Sequence, residues 1–289
     1  MNEKTLLYQI TETSKFMMGF VLVTKQNNVI VVDGGRPEDM PLLKEYIGGR
    51  HISAWILTHA HGDHISGFIS EFQSNGGADF DIEKVYFNMP PYDELMQKTE
   101  GEVPDLAYFR SELSNLVSFN NIKPLLGDRA YVVQQGESIE IDECKIDFIF
   151  TYHDGLYSNL MNDSSVVFMI TTPNKKVLFL GDLGPEAGDV LYEESRDKIK
   201  ADIVQMAHHG HMNVGMEVYA AIMPEACMWC CADWLYNEPE IPRYLVDRQK
   251  LRRMQRERMY GTTVTRKWMD ILGVKTHYVT KDGTNCIEL

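Results

Sequence analysis

Residues 58–64 read THAHGDH, directly after the apolar run Ala54, Trp55, Ile56 and Leu57. Three histidines and an aspartate stand within six positions, at the end of what reads as a buried strand. Along an extended or tightly looped segment, residues two apart point the same way. His59 and His61 can therefore hold one cation together, while Asp63 and His64 reach a second. Imidazole and carboxylate together suit zinc, manganese or iron. A single histidine in such a place is usually just a satisfied core or surface residue; four donors in this pattern point to metal. Two further stretches repeat the arrangement. KVLFLGDLG puts Asp182 at the end of another apolar strand, and DIVQMAHHGH puts His208, His209 and His211 at the end of a third. Strand ends converge on one edge of a sheet, and the loops there carry chemistry.

The rest of the chain fits a soluble globular protein. Of its 289 residues, 44% are hydrophobic and 24% charged, enough for a sizeable core. The net charge is −14, from 42 acids against 28 bases. Such a chain repels nucleic acid and anionic membrane at long range, so nucleic acid is a disfavoured partner. The start, MNEKTLLYQITETSKFMMGFVLV, lacks a basic region followed by an apolar run, and no apolar run is long enough to span a bilayer. Five cysteines, three of them in CMWCC (227–231), are expected to be free thiols in a reducing cytoplasm. Met228 and Trp229 make that motif read as a buried strand, not a thiolate metal site.

Short β-branched runs at 20–24, 29–32 and 53–57 predict strands, with KQNN as a turn, a helix at 41–47, and the first turns of another from Ile65 to Phe72, broken by Gly76-Gly77. Further strands are expected at 146–151, 165–171, 177–180, 203–207, 226–231, 275–280 and 286–289. Helices are expected at 187–199, 214–222, 242–259 and 263–272. Residues 88–130, rich in Pro and polar residues and carrying a helix near 106–120, read as an insertion. They are either a surface subdomain with its own small core or a lid with substrate contacts. No interdomain linker is evident, so residues 1–289 are expected to be one domain. Two β-rich halves interleaved with helices predict an α/β protein of two stacked mixed sheets with helices outside.

These motifs resemble the metallo-β-lactamase-fold hydrolases over nearly the whole chain. VIVVDGG is similar to the strand-Asp-Gly-Gly opening that core, and THAHGDHISG to its first metal motif. NDSSVVFMI, KVLFLGDLG and ADIVQMAHHG, in that order, are similar to the series in ComEC-like hydrolase domains and phosphorylcholine esterases, and GVKTHYVTKDGTNCIEL to their closing strands. The resemblance implies a four-layer αββα sandwich and two divalent metal ions, zinc first, with manganese or iron as alternatives. It implies His59, His61 and one of His208 and His209 on one cation, Asp63 and His64 on the other, and Asp182 as a bridge. Asp33 then holds the histidine loop from behind.

Several positions depart from that pattern. Many of these enzymes carry a ligand histidine where Asn162-Asp163-Ser164-Ser165 stands here, which weighs against a thioesterase; His153, in TYHDG, is a candidate substitute. ComEC-like chains place His-Pro after the Asn that Asn237 matches, whereas here Glu238 follows, itself a possible ligand. His211 replaces a serine after His-His-Gly, and SKFMMGF replaces a Gly-x-Gly-Asp-like stretch.

Two cations about 3.5–4 Å apart share a water and lower its pKa towards about 7, and the hydroxide formed attacks the substrate. Asp63 or Asp182 orients that nucleophile or takes its proton. The first expectation is a hydrolase of phosphodiester or other phosphoric-ester substrates. The alternatives are a carbonyl hydrolase acting on a lactone, amide or thioester, and a metal-binding module without catalysis, for which Glu238 is the only hint. RQKLRRMQRER (248–258) reads as a solvated helix face, or else as a receiver of substrate phosphates.

Overall fold

The computed structural model describes residues 2–15, 17–98, 113–156, 159–211, 213–237 and 262–289. Glu238, the basic stretch at 248–258, the helix expected at 242–259, and residues 99–112 of the insertion lie outside the described residues.

Two seven-stranded sheets form the centre. The first holds β1 (Leu6–Gln9), β2 (Gly19–Val23), β3 (Val29–Asp33), β4 (Ile52–Ile56), β5 (Val85–Phe87) and β6 (Ala130–Val132), with the closing strand β14 (Asn285–Glu288) along β1. The second holds β7 (Ser138–Ile141), β8 (Cys144–Phe150), β9 (Val167–Thr171), β10 (Lys176–Phe179), β11 (Ile203–Gln205), β12 (Ala226–Trp229) and β13 (Thr276–Val279) in sequential order. Each sheet is mixed. β1, β2, β3 and β14 pair antiparallel, then β3 to β6 run parallel. β7 to β10 pair antiparallel, then β10 to β13 run parallel. The central strands VIVVD and ISAWI are buried on both faces, which is why they read as unbroken apolar runs without alternation.

Between the sheets lies a core that includes Phe20, Ile56, Phe148, Phe168 and Phe179. Phe20 meets Phe179 edge-on at 5.1 Å, and Phe179 stacks on Phe168 at 4.9 Å, so aromatic rings join the layers. Helices α1 (Met40–Ile47), α2 (Gly62–Asn75), α3 (Tyr92–Lys98) and α4 (Ser114–Ile122) cover the first sheet. α5 (Leu160–Asp163) sends Leu160 and Met161 into the first sheet's cluster as well, and on the second sheet's side follow α6 (Pro185–Ser195), α7 (Met216–Ile222), α8 (Asp233–Tyr236) and α9 (Thr262–Leu272). The result is the four-layer sandwich. Gly76, at φ +70°, ends α2 by donating its N–H to the Phe72 carbonyl, a left-handed cap that glycine adopts without strain.

The described part of the 88–130 insertion has no separate core. Leu113, Leu116, Phe119 and Ile122 join the same apolar cluster as Phe68 and Phe72 of α2, and Phe119 meets Phe87 at 4.9 Å. In this described part, α4 is an added helix of the outer layer whose apolar stripe reaches the main core. CMWCC is buried as expected: Cys227, Cys230 and Cys231 are free thiols inside the fold, and burial pushes Cys227 up to about 12. Among the described residues, no helix is long and apolar enough to cross a membrane.

Candidate metal centre

The parallel strands β3, β4, β10, β11 and β12 all deliver their C-terminal ends to one edge. Asp33 ends β3, and its buried carboxylate collects three donors. Thr58 N–H lies 2.8 Å from Oδ1; Thr58 Oγ1 and His64 Nδ1 each lie 2.7 Å from Oδ2. With Nδ1 so engaged, His64 turns Nε2 towards Asp182 Oδ2, 3.2 Å away. His59 Nε2 lies 3.8 Å from the same oxygen and 3.1 Å from His61 Nδ1.

The second sheet supplies the rest. Asp182 is held through its main chain: its N–H donates to Ser165 Oγ and its carbonyl accepts from Asn213 Nδ2, each at 3.1 Å. Buried Gln205, at the end of β11, accepts from Leu180 N–H and donates to the carbonyls of Gly181 and Met206, tying two loops together. His208 and His209 both adopt left-handed backbone, at φ +49° and +57°. Gly210 follows at φ +87°, where a Cβ would stand 2.5 Å from the Trp229 ring. Left-handed residues other than glycine are uncommon and cost energy; here the turn presents two adjacent rings to one centre. His209 Nδ1 donates to the Cys230 carbonyl at 2.7 Å, leaving Nε2 3.2 Å from Asp63 Oδ2 and 3.5 Å from Asp182 Oδ2. His208 Nε2 lies 3.8 Å from Asp182 Oδ2.

Two sets of donor atoms gather within 4.8 Å: His59, His64 and Asp182, and Asp63, His64 and His209. The donor chemistry fits two borderline divalent cations. So does the hydrogen bonding: Asp182 Oδ1 is buried and accepts no hydrogen bond from the described residues, a costly state for a carboxylate oxygen without a cation. Burial pushes His59 well below its ordinary pKa, helped by the neighbouring His64 charge. Burial opposes charge on His64 too, but the carboxylates of Asp182 and Asp33 outweigh it and hold His64 well above the usual value. Against its own burial, Asp182 is kept well below the usual carboxylate range by His64, His209 and His208. The centre is thus a buried cluster of carboxylates with imidazole nitrogens turned towards them.

A family model of the metallo-beta-lactamase superfamily matches residues 20–217, which carry every element of this centre named so far except the Trp229 and Cys230 contacts. The chain belongs to the metallo-beta-lactamase superfamily. Among solved structures, it is similar to the metallo-beta-lactamase fold protein YhfI from Bacillus subtilis, at 14% identity and a TM-score of 0.56, over 99% of this chain and 100% of that one. It is also similar to CmlA, a diiron beta-hydroxylase from Streptomyces venezuelae, at 12% identity and a TM-score of 0.54, over 100% of this chain and 55% of that one. At such identities the likeness is one of fold. A comparison with curated proteins finds no match to this sequence.

Within this metallo-beta-lactamase scaffold the structure brings together His59, His61, Asp63, His64, Asp182, His208 and His209. His209 stands with Asp63 and His64, and His64 belongs to both donor sets. His153 is engaged elsewhere, 3.0 Å from Gln135 Oε1 and stacked on Phe150 at 4.7 Å. Sequence reading overlooked Gln205 and Asn213. A glutamine inside the apolar run IVQMA was the available signal for the first; nothing in the sequence marked the second.

Asp163 lies in the stretch replacing the family's histidine. Its Oδ1 accepts from Ala187 N–H in the first turn of α6 at 3.2 Å, and Oδ2 is buried and accepts no hydrogen bond from the described residues. Burial pushes its pKa up to about 7, from 3.8. The native state therefore holds a proton that the unfolded chain has released, so stability falls as pH rises from about 4 to 7 and then levels off. Asp163→Asn keeps the acceptor and removes the titration. The variant is expected to gain on the parent across that window, by at most about 4 kcal/mol above pH 7. Urea titrations at pH 4.5, 6 and 8 measure this, and a gap that does not widen with pH rules it out.

Proposed function

We infer that the protein is a two-cation hydrolase of phosphoric esters, with phosphodiesters as the leading class. The observation carrying this reading is Asp182, whose Oδ2 stands within 4 Å of four imidazoles and joins donors from both sheets. The series Asn162-Asp163-Ser164-Ser165, Gly181-Asp182 and His208-His209-Gly210 supports a ComEC-like or phosphorylcholine-esterase-like subtype, as does a buried Asn162 where a thioesterase would carry histidine.

In this reading His59, His61 and Asp182 hold one cation, Asp63, His64 and His209 the other, and His208 approaches the shared Asp182 oxygen. Bound, the pair supplies Lewis acidity and a water of lowered pKa. The chain's own residues do the positioning. Asp33 orients His64, the Cys230 carbonyl orients His209, and Ser165 and Asn213 fix the Asp182 backbone. Asp63, at the pocket rim with its side chain 12% exposed, is the carboxylate placed to orient a nucleophile or accept its proton. Zinc, manganese and iron are all candidates, iron because CmlA, of similar fold, is a diiron enzyme.

The test uses protein stripped by chelation, reloaded with zinc, manganese or iron, and assayed on bis-p-nitrophenyl phosphate alongside a lactone and a thioester. Metal-dependent turnover of the phosphodiester, at least about a hundredfold above the other two, is the expected result. Protein holding two cations that cleaves only the carbonyl substrates would overturn the phosphoester reading.

A further inference from the structure

Arg36 follows Asp33-Gly34-Gly35 and is absent from the donor sets above. Its main chain is pinned: Arg36 N–H donates to Asp39 Oδ2 at 2.9 Å, and Asp39 Oδ1 accepts in turn from Thr13 N–H and Thr13 Oγ1. Its side chain runs to the rim of the candidate metal centre. Nη2 lies 3.9 Å from Asp63 Oδ2, an ion pair too long for a hydrogen bond, and Nε is buried with no hydrogen-bond partner. Among the described residues, the guanidinium makes no side-chain hydrogen bond at all. In a chain with 42 acids, a cation left so poorly satisfied at such a place is unusual.

A second side chain meets it there. A Cβ built on Gly62, the residue between His61 and Asp63, would stand 3.3 Å from Asn115 Nδ2 and 3.8 Å from Arg36 Nη1. Asn115 belongs to α4, the insertion helix. A guanidinium and an amide, both donors, thus gather over a residue without a side chain, beside the rim carboxylate. Five N–H donors in a planar fork match the paired oxygens of phosphate or carboxylate. Pinning the backbone lowers the ordering cost of using them.

We propose that Arg36, with Asn115 beside it, is the substrate-anion clamp of this centre, donating to the free oxygens of a phosphoryl or carboxylate group held at the cations. The proposal builds on the hydrolase reading but is testable without turnover.

The metal-loaded protein and its Arg36→Ala and Arg36→Lys variants are titrated calorimetrically with inorganic phosphate and, separately, with acetate. Cation content is measured on every sample. Arg36→Ala is expected to weaken phosphate binding by tenfold or more with two cations retained, and Arg36→Lys to recover part of the loss. On bis-p-nitrophenyl phosphate the same variant should raise KM far more than it lowers kcat. A larger loss for acetate than for phosphate would assign the clamp to carboxylates; the reverse would assign it to phosphoryl groups. Arg36-dependent phosphate binding without phosphodiester turnover would leave the clamp standing and remove the phosphodiesterase reading. Unchanged affinity for both anions in Arg36→Ala would overturn the clamp. So would a loss that only tracks lost cations, which would reduce Arg36 to a support for Asp63.

Discussion

Asp182→Ala is expected to lose at least one of two bound cations and to lower turnover of the best substrate about a thousandfold or more. The size follows from the charge stabilisation a cation pair contributes to a transition state, several kcal/mol, at about 1.36 kcal/mol per decade of rate. The geometry says why this side chain matters most. Asp182 Oδ2 is 3.2 Å from His64, 3.5 Å from His209 and 3.8 Å from both His59 and His208. Its other oxygen is buried and open to a second cation. Among the described residues, no other carboxylate lies this close to four rings. Asp182→Asn separates charge from shape: if the loss stems from the missing anion, the amide is nearly as damaging as alanine. Metal analysis of dialysed protein and steady-state kinetics check both. Two cations retained in Asp182→Ala, with kcat within tenfold of the parent, would exclude Asp182 as a bridge.

Asp33 is the second expectation, and its effect is double. Three donors end on its carboxylate, all inside the fold: Thr58 N–H, Thr58 Oγ1 and His64 Nδ1. Asp33→Ala leaves them unpaired, at about 1–3 kcal/mol for each buried group that water cannot reach. It also places alanine at φ +51°, where Asp and Asn are tolerated far better. We expect a destabilisation of about 3–5 kcal/mol, within the range for breaking a buried charged contact. His64 also loses the partner that orients its ring, which should weaken cation affinity by about 10- to 100-fold. Asp33→Asn keeps the backbone conformation and an acceptor for Thr58 N–H but sets an amide N–H₂ group against the other donors. It should recover much of the stability and little of the affinity. Urea titration and chelator competition measure the two parts separately. Equal recovery of both by asparagine would mean that Asp33 acts through the backbone alone.

The donors of this centre were legible because metal chemistry writes itself locally. His59, His61, Asp63 and His64 lie within six consecutive residues, and Asp182, His208 and His209 each follow an apolar strand. The central strands were legible for the same reason: VIVVD and ISAWI form their signal within five residues. β1 was missed because LLYQ is short and takes its place as a strand between β2 and Asn285–Glu288, the latter at the other end of the chain. The short strands β5, β6 and β7 likewise depend on neighbours: each spans only three or four residues, and β6 and β7 are largely exposed. The different settings of His208 and His209 come from consecutive left-handed residues, a conformation that only Gly210 hints at. Arg36 carried no signal at all. It becomes informative once α2 and α4 bring Gly62 and Asn115 beside it.

The donors around Asp182 belong to both halves of the sandwich: His59 and His61 to the loop after β4 and Asp63 and His64 to the first turn of α2, Asp182, His208 and His209 to loops of the second sheet. A cation held among them is a cross-link between segments far apart in the chain. It acts on the unfolded ensemble as well as on the native pocket, since closing so long a loop is entropically expensive. Resistance to heat should then follow the free metal concentration by mass action. Starving the protein of metal would loosen the seam between its sheets at the same time as it silences the chemistry.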